Sequence, residues 1–470
     1  MLTDLTATEL SRRIHAGELA PSELMAATLA RIGQVNGAVN AIVSLRDADA
    51  LMAEARAADG APRKGWLHGI PFAVKDMVAT AGLRTTYGSP LFAQYVPPRD
   101  DLLAARLRAA GAILIGKTNV PEWAQGSHSF NPVFGATKNP YDLTRSAGGS
   151  SGGAAAALAT RMVAVADGSD MMGSLRNPAA FCNVYGFRPT MGLIPRDAEG
   201  DTYLSNLSTD GPMARTVEDL ARLLQVMAGP NPEVPYDRPT EAFADLLEID
   251  LRGRRIGWLG DWGGAYAVED GILGLCRAGL AVLEAQGAVV EEVPPPFPAE
   301  KLWSSWTTLR AMLNAGSRGD LARDPAKRTL TKPETLWEIE QGANLTAQAV
   351  FDASVIRSQW HKRAARMFAR FDAVVLPSAQ VWPFPVEWRW PELVAGRAMD
   401  TYHRWMEIVM PPSLIGLPAL SVPVGFGPQG LPMGMQIIGP QGADARVLAI
   451  GQHYHRATDW PAQRPPQPRG

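Results

Sequence analysis

Two adjacent serines, Ser150 and Ser151, stand between glycine pairs in the run R-S-A-G-G-S-S-G-G-A-A-A-A at residues 145–157. A third, Ser174, closes the run V-A-V-A-D-G-S-D-M-M-G-S at 163–174. Glycine at this density lets backbone approach backbone and lets the chain visit positive φ. Hydroxyls held in such a loop act as nucleophiles once a base is placed beside them. A flexible Gly/Ser linker is the alternative reading. The helix-forming alanine run and the apolar segment 162–166 on its flanks argue against it.

The base is the harder assignment. The seven histidines, at 15, 68, 128, 361, 403, 453 and 455, stand in no context that marks a catalytic partner. The pattern G-x-S-x-G occurs at 148–152 and 149–153. A nucleophile elbow needs a strand running straight into it, and 139–147 does not read as one, so the match is taken as incidental. The alternative is a lysine kept neutral by burial. Lys75 ends the apolar, strand-like run G-I-P-F-A-V-K-D at 69–76. Taken alone, a lysine so placed fits a structural ion pair better than catalysis.

Further segments join these: G-K-T-N-V-P-E-W-A (116–124), G-A-T-K-N-P-Y-D (135–142), D-M-M-G-S-L-R-N-P-A-A-F-C (170–182) and G-F-R-P-T (186–190). Downstream come G-L-P-A-L-S-V-P-V-G-F (416–426) and G-L-P-M-G-M-Q-I-I-G-P (430–440). Together they resemble the amidase signature family of serine hydrolases. The resemblance is strong over 65–195 and 370–440; between these it holds only in layout.

The resemblance implies an α/β fold with a central mixed β-sheet covered by helices on both faces. It implies hydrolysis of amide C–N bonds by a triad: Ser174 as nucleophile, Ser150 as bridging serine on a cis peptide, Lys75 as base. It implies an oxyanion hole of backbone N–H groups at Met171, Met172, Gly173 and Ser174. Ser151, Asp170 and Arg176 then support the loop without doing chemistry. Neither a metal nor an organic cofactor is needed. The chain departs from the pattern at Met172, where the family usually has glycine. The expectation is that Met171 and Met172 narrow or reshape the acyl site. Carbamate or ester hydrolysis, an inactive binding protein and a glutamine-hydrolysing amidotransferase subunit remain as alternatives. The expected partner is a small-molecule amide or carbamate, with apolar or aromatic groups preferred.

Composition sets the bounds. The chain has 470 residues, 46% hydrophobic and 20% charged, with net charge −2. That profile suits an ordinary globular protein and argues against nucleic acid or anionic membrane partners. No apolar run approaches the ~20 residues of a membrane span. Two cysteines, Cys182 and Cys276, make no disulfide framework, which fits a reducing, cytoplasmic compartment. The N-terminus carries no signal-peptide pattern.

The elements that must position these residues read as one amidase-signature domain over 1–470. A helical section fills 1–60, with Thr6 and Glu9 as a capping box and Pro21 opening a second helix. It is a candidate scaffold or oligomer surface, and a homodimer is one expectation. Strands are expected at 40–45, 71–74, 113–115, 162–166, 254–259, 289–293, 373–376, 419–424 and 434–438. Helices are expected at 47–58, 101–110, 151–161, 270–286, 345–371, a stretch ending near 415, and one starting at 444. Residues 297–400 form a variable section rich in tryptophan, read either as packing under loops or as the wall of a substrate funnel. His128 is expected as a loop or pocket-wall residue, and the tail after Trp460 as irregular.

Overall fold

The structure is a computed structural model that describes residues 1–196 and 200–468. Eight strands form a mixed sheet. Their order is Val289–Glu292, Arg255–Trp258, Ala373–Pro377, Pro432–Ile438, Ala419–Phe426, Tyr185–Arg188, Thr209–Ala214 and Val165–Asp170. The first three run parallel and the remaining pairs are antiparallel. Helices flank the sheet, as the resemblance implied. Strands covered on both faces read as near-continuous apolar runs, and Ala419–Phe426 and Pro432–Ile438 do so but for the buried Ser421 and Gln436.

Lys75 does not belong to this sheet. Its strand, Pro71–Lys75, pairs with Ile113–Thr118, whose other edge pairs with Ile42–Val43, in a separate three-stranded sheet. That small sheet meets the edge strand Val165–Asp170 of the large one. The lysine is delivered into the seam between the two.

The N-terminal section is tied to the main core. Thr6 caps the helix Ala7–Ala16 by accepting the Glu9 amide. The next orphan amides, Ala7 and Thr8, donate to the Asp219 carboxylate, each at 2.8 Å. Asp219 sits on the helix Val217–Met227, so one helix caps another. Leu10, Ile14 and Leu24 are buried in the same core as Leu220 and Leu224.

Several elements differ from expectation. Residues 139–147, read as lacking a strand, contain Asp142–Ser146, paired with Lys138–Asn139 in a hairpin. Cross-strand bonds hold this pair where alternation of apolar residues does not. The strand expected at 162–166 runs from Val165 to Asp170, because pairing with Thr209–Ala214 sets its limits. The strand expected over 40–45 is only Ile42–Val43. Near 402–415 a 3-10 stretch, Arg404–Val409, precedes the short helix Met410–Leu414. The tail begins with one helical turn, Trp460–Gln463, and its last two residues lie outside the described ones.

The section 297–345, where no elements were expected, is helical: Ala299–Arg323, Pro325–Leu330 and Pro333–Ala343. The first and last pack so closely that a Cβ on Gly342 would lie 2.0 Å from the Ala311 carbonyl oxygen. Glycine is what lets the two backbones meet.

Candidate active site

Lys75 is fully buried. Its backbone N–H donates to Asp167 Oδ1 at 2.9 Å. Its Nζ lies 2.8 Å from Ser150 Oγ, 2.9 Å from Ser151 Oγ and 2.8 Å from Ser169 Oγ. Among the described residues no carboxylate comes within ion-pair distance of it. The surroundings are three hydroxyls, not a structural ion pair. Burial drives its pKa down to about 7, against the opposing pull of Asp167 and Asp210. A neutral amine hydrogen-bonded to serine hydroxyls is able to take a proton from them.

The serine loop is held from several sides. The Gly149–Ser150 peptide is cis. The Ser127 hydroxyl donates to the Gly149 carbonyl, and Ser129 Oγ accepts the Gly152 amide at 3.0 Å. The all-buried helix Gly152–Ala159 starts directly after Ser151. Its N-terminal end favours negative charge developing nearby.

Ser174 reaches the same place from the other strand. The Ser151 amide donates to its carbonyl at 3.2 Å. No hydrogen bond joins Ser174 Oγ to any partner among the described residues, Ser150 included. Ser174 is 8% exposed, against 0% for Lys75 and 1% for Ser150. Of the three, its hydroxyl is the one open to a ligand.

Four amides surround it. The Gly173 N–H donates to Asp170 Oδ1 at 2.8 Å, and so does not point freely into the site. The amides of Met171, Met172 and Ser174 have no acceptor among the described residues. Gly173 has φ 81°, and a Cβ there would sit 2.4 Å from Asn177 Oδ1 and 2.5 Å from Val409 Cγ2. The turn requires glycine at that position. At Met172 it does not: that side chain is buried in the core rather than in the site. Met171 stays half-buried, with its sulfur 3.4 Å from Arg310 Nη1.

Asp170 and Arg176 hold the loop in shape. Arg176 Nε and Nη2 grip the Asp170 carboxylate at 3.0 and 2.9 Å. Arg176 also donates to Val409 O, Gln436 Oε1 and Ser413 Oγ. Burial by itself would raise the Asp170 carboxyl, but Arg176 and then Arg188 outweigh it and hold the pKa at about 2. The carboxylate therefore stays charged and its grip on Gly173 is permanent.

Two neighbours of Lys75 escaped the sequence reading, Asp167 and Ser169. They lie two residues apart on one strand and so share a face. The period-two pattern of D-G-S would have revealed them, given that the face meets Lys75. Asp167 is buried with Oδ2 unpartnered, and burial raises its carboxyl to about 6. His128 is packed rather than poised. Its Nδ1 meets Ser146 Oγ at 2.7 Å, its Nε2 meets Val386 O at 2.9 Å, and burial holds it neutral with a pKa of about 4. Asn119 is structural, donating to Gly135 O and Thr137 Oγ1.

The tryptophans divide. Trp303 and Trp306 are buried packing residues, while Trp337 and Trp388 remain exposed. Phe130, Trp390, Tyr402 and Trp405 pack with Lys332, Glu334 and Arg389 beside Ser127, the residue that holds the Gly149 carbonyl, and leave a cavity of only about 10 Å³, the size of one water.

A mixed sheet flanked by helices, with a buried lysine joined to paired serines in a Gly-rich loop, is the arrangement that the amidase-signature resemblance implied. The amidase family model matches residues 23–448, and the chain belongs to the amidase signature family, whose members hydrolyse amide C–N bonds. It is 36% identical over 496 residues to a glutamyl-tRNA(Gln) amidotransferase subunit of Chloroflexus aurantiacus, covering 99% of both chains. It is 32% identical to an acylamidase of Rhodococcus erythropolis, covering 98% of this chain and 97% of that one. Among solved structures, a bacterial aryl acylamidase superposes with TM-score 0.90 at 28% identity, covering 98% and 99%. A 6-aminohexanoate cyclic dimer hydrolase superposes with TM-score 0.88 at 26% identity, covering 99% of each. No helix among the described residues is long and apolar enough to cross a membrane.

Proposed function

We propose that this protein is an amidase of the acylamidase type, working as one catalytic domain with Ser174 as nucleophile, Ser150 as proton relay and Lys75 as base. The observation that carries this reading is the buried Lys75 Nζ at 2.8 Å from Ser150 Oγ, with no carboxylate within ion-pair distance among the described residues. Ser174 Oγ attacks the amide carbonyl and forms a new C–O bond. Its proton passes to Ser150 Oγ as the Ser150 proton passes to Lys75 Nζ. The carbonyl oxygen takes the negative charge and accepts the amides of Met171, Met172 and Ser174. The C–N bond then breaks. The proton returns through Ser150 to the leaving amine, and an acyl-enzyme remains. Water follows the same route and releases the acid.

The likeness to a bacterial aryl acylamidase supports an aromatic group on the substrate. Burying one ring at ~25 cal/mol per Å² over ~150 Å² contributes a few kcal/mol before ordering costs. The resulting preference is tenfold or more at ~1.4 kcal/mol per decade. The likeness to amidotransferase subunits supports a second reading, glutamine hydrolysis. The test compares kcat/KM for an acyl anilide and an aryl carbamate with that for glutamine and acetamide. The anilide is expected to win by at least about tenfold. Equal or faster turnover of glutamine overturns the acylamidase reading in favour of the second.

A further inference from the structure

Arg310 lies on the helix Ala299–Arg323 and is only 5% exposed. Its Nε donates to Glu338 Oε1 at 2.5 Å and its Nη2 to the Tyr402 hydroxyl at 2.8 Å. Among the described residues its Nη1 has only the Met171 sulfur as partner, at 3.4 Å. A guanidinium has five N–H donors, and a thioether is a weak acceptor. The outer edge of this guanidinium therefore keeps strong donors without a strong acceptor. That edge faces Met171, which is half-buried and stands three residues before Ser174.

Among the described residues nothing nearby offers spare negative charge. Glu338 Oε1 accepts from Arg310 and from the Tyr402 hydroxyl, and its Oε2 from Gln125 Nε2 at 2.9 Å and Asn314 Nδ2 at 2.6 Å. Its lone pairs are taken. The same network holds a second guanidinium, the half-buried Arg318, which donates to Asn314 Oδ1 at 2.6 Å. His403 lies 3.9 Å from Glu338, and burial keeps it neutral, with a pKa of about 3. Two guanidiniums thus share one carboxylate. A buried cation is costly without a counter-charge, and a planar fork with a free edge matches a carboxylate in two-point contact.

We propose that Arg310 is a specificity-determining residue that receives a carboxylate on the substrate, with the flexible Met171 thioether moving aside to admit it. The inference deepens the acylamidase reading and rests on it: the preferred substrate is an amide that carries an acidic group near the scissile bond.

Binding to Ser174→Ala protein reads this without turnover. Titration calorimetry compares succinic acid monoanilide with its methyl ester, and 4-acetamidobenzoate with its methyl ester. The first pair carries the carboxylate on the acyl side and the second on the amine side. At least one acid is expected to bind about tenfold or more tightly than its ester. In Ser174→Ala/Arg310→Gln protein that ratio falls to about one. Arg310→Lys keeps part of it, because the charge remains while the fork is lost. A packing defect weakens acid and ester alike and cancels in the ratio. Equal binding of acid and ester in both pairs overturns the inference, as does a ratio that survives Arg310→Gln. Turnover of acetanilide by the unmodified enzyme is measured separately. Its absence counts against the acylamidase reading and leaves the binding ratio to judge Arg310.

Discussion

Replacing Lys75 by methionine is expected to abolish activity and yet make the fold more stable near neutral pH. The ordinary lysine pKa is 10.5, and burial brings Lys75 to about 7. Between these values the unfolded chain binds a proton that the folded chain does not. Stability therefore rises with pH across this window, and below it the fold carries the full penalty of a buried ammonium. The gap corresponds to on the order of 5 kcal/mol, at about 1.4 kcal/mol per pH unit. Methionine has similar bulk and no charge, so it removes that penalty. It also strips a partner from three serine hydroxyls, Ser150, Ser151 and Ser169, at about 1 kcal/mol each. The net gain at about pH 6 is then on the order of 2 kcal/mol; it turns into a loss above about pH 8–9, and the loss is complete only above about pH 11, where Lys75 is neutral in both states. Urea midpoints of both proteins, taken at several pH values with unchanged slope, measure the difference. In parallel, kcat/KM of Lys75→Met on an anilide is expected to fall by about 10²–10⁴ or more. Wild-type kcat/KM rises with pH to a plateau, with its midpoint near 7 as Lys75 loses its proton. A stability difference that does not change with pH, or that grows with it, refutes the neutral lysine. Wild-type activity in Lys75→Met does the same.

Ser174→Ala should form no adduct with a fluorophosphonate, whereas Ser150→Ala should still label slowly, because it keeps the nucleophile and loses only the relay. Intact-mass spectrometry decides, and an adduct on Ser174→Ala mapped to Ser150 would reverse the two roles. Gly173→Ala brings a Cβ within 2.4 Å of Asn177 Oδ1 at a φ of 81°, so kcat should fall by about tenfold or more as the oxyanion amides shift, while Lys75 is untouched. Unchanged kcat in that variant counts against the assigned hole. Asp167→Asn removes a charge that holds the Lys75 pKa up, so the acidic limb of the pH–kcat/KM profile should move to lower pH. A limb that stays in place, or moves up, means that the limb does not report Lys75.

Local sequence was enough for part of this site. A short apolar run bounded by turn residues reads as a buried strand, and Pro71–Lys75 is one, buried at every position. Gly148, Gly149, Gly152 and Gly153 around two serines mark a loop that only small residues can build. Those features depend on neighbours a few residues away and make the lysine and the serines candidates; the roles expected of Lys75, Ser150 and Ser174 came from the amidase-signature resemblance. The capping of Ala7–Ala16 by Thr6 is legible for the same reason.

Other features exist only once distant segments meet. Nothing local says that Asp167 and Ser169 face Lys75, since that follows from the docking of two separate sheets across 92 and 94 residues of chain. The Gly173 amide looked as free as its neighbours until Asp170 folded back to take it. The helices within 299–343 were hidden because their buried faces carry Arg310, Asn314 and Glu338, polar residues that break an apolar stripe. They are tolerable inside only because each finds its partner on another element. The pKa of Lys75 is the clearest case: it is set mainly by the exclusion of water, and water is excluded only when the two sheets and the serine loop have closed around the amine.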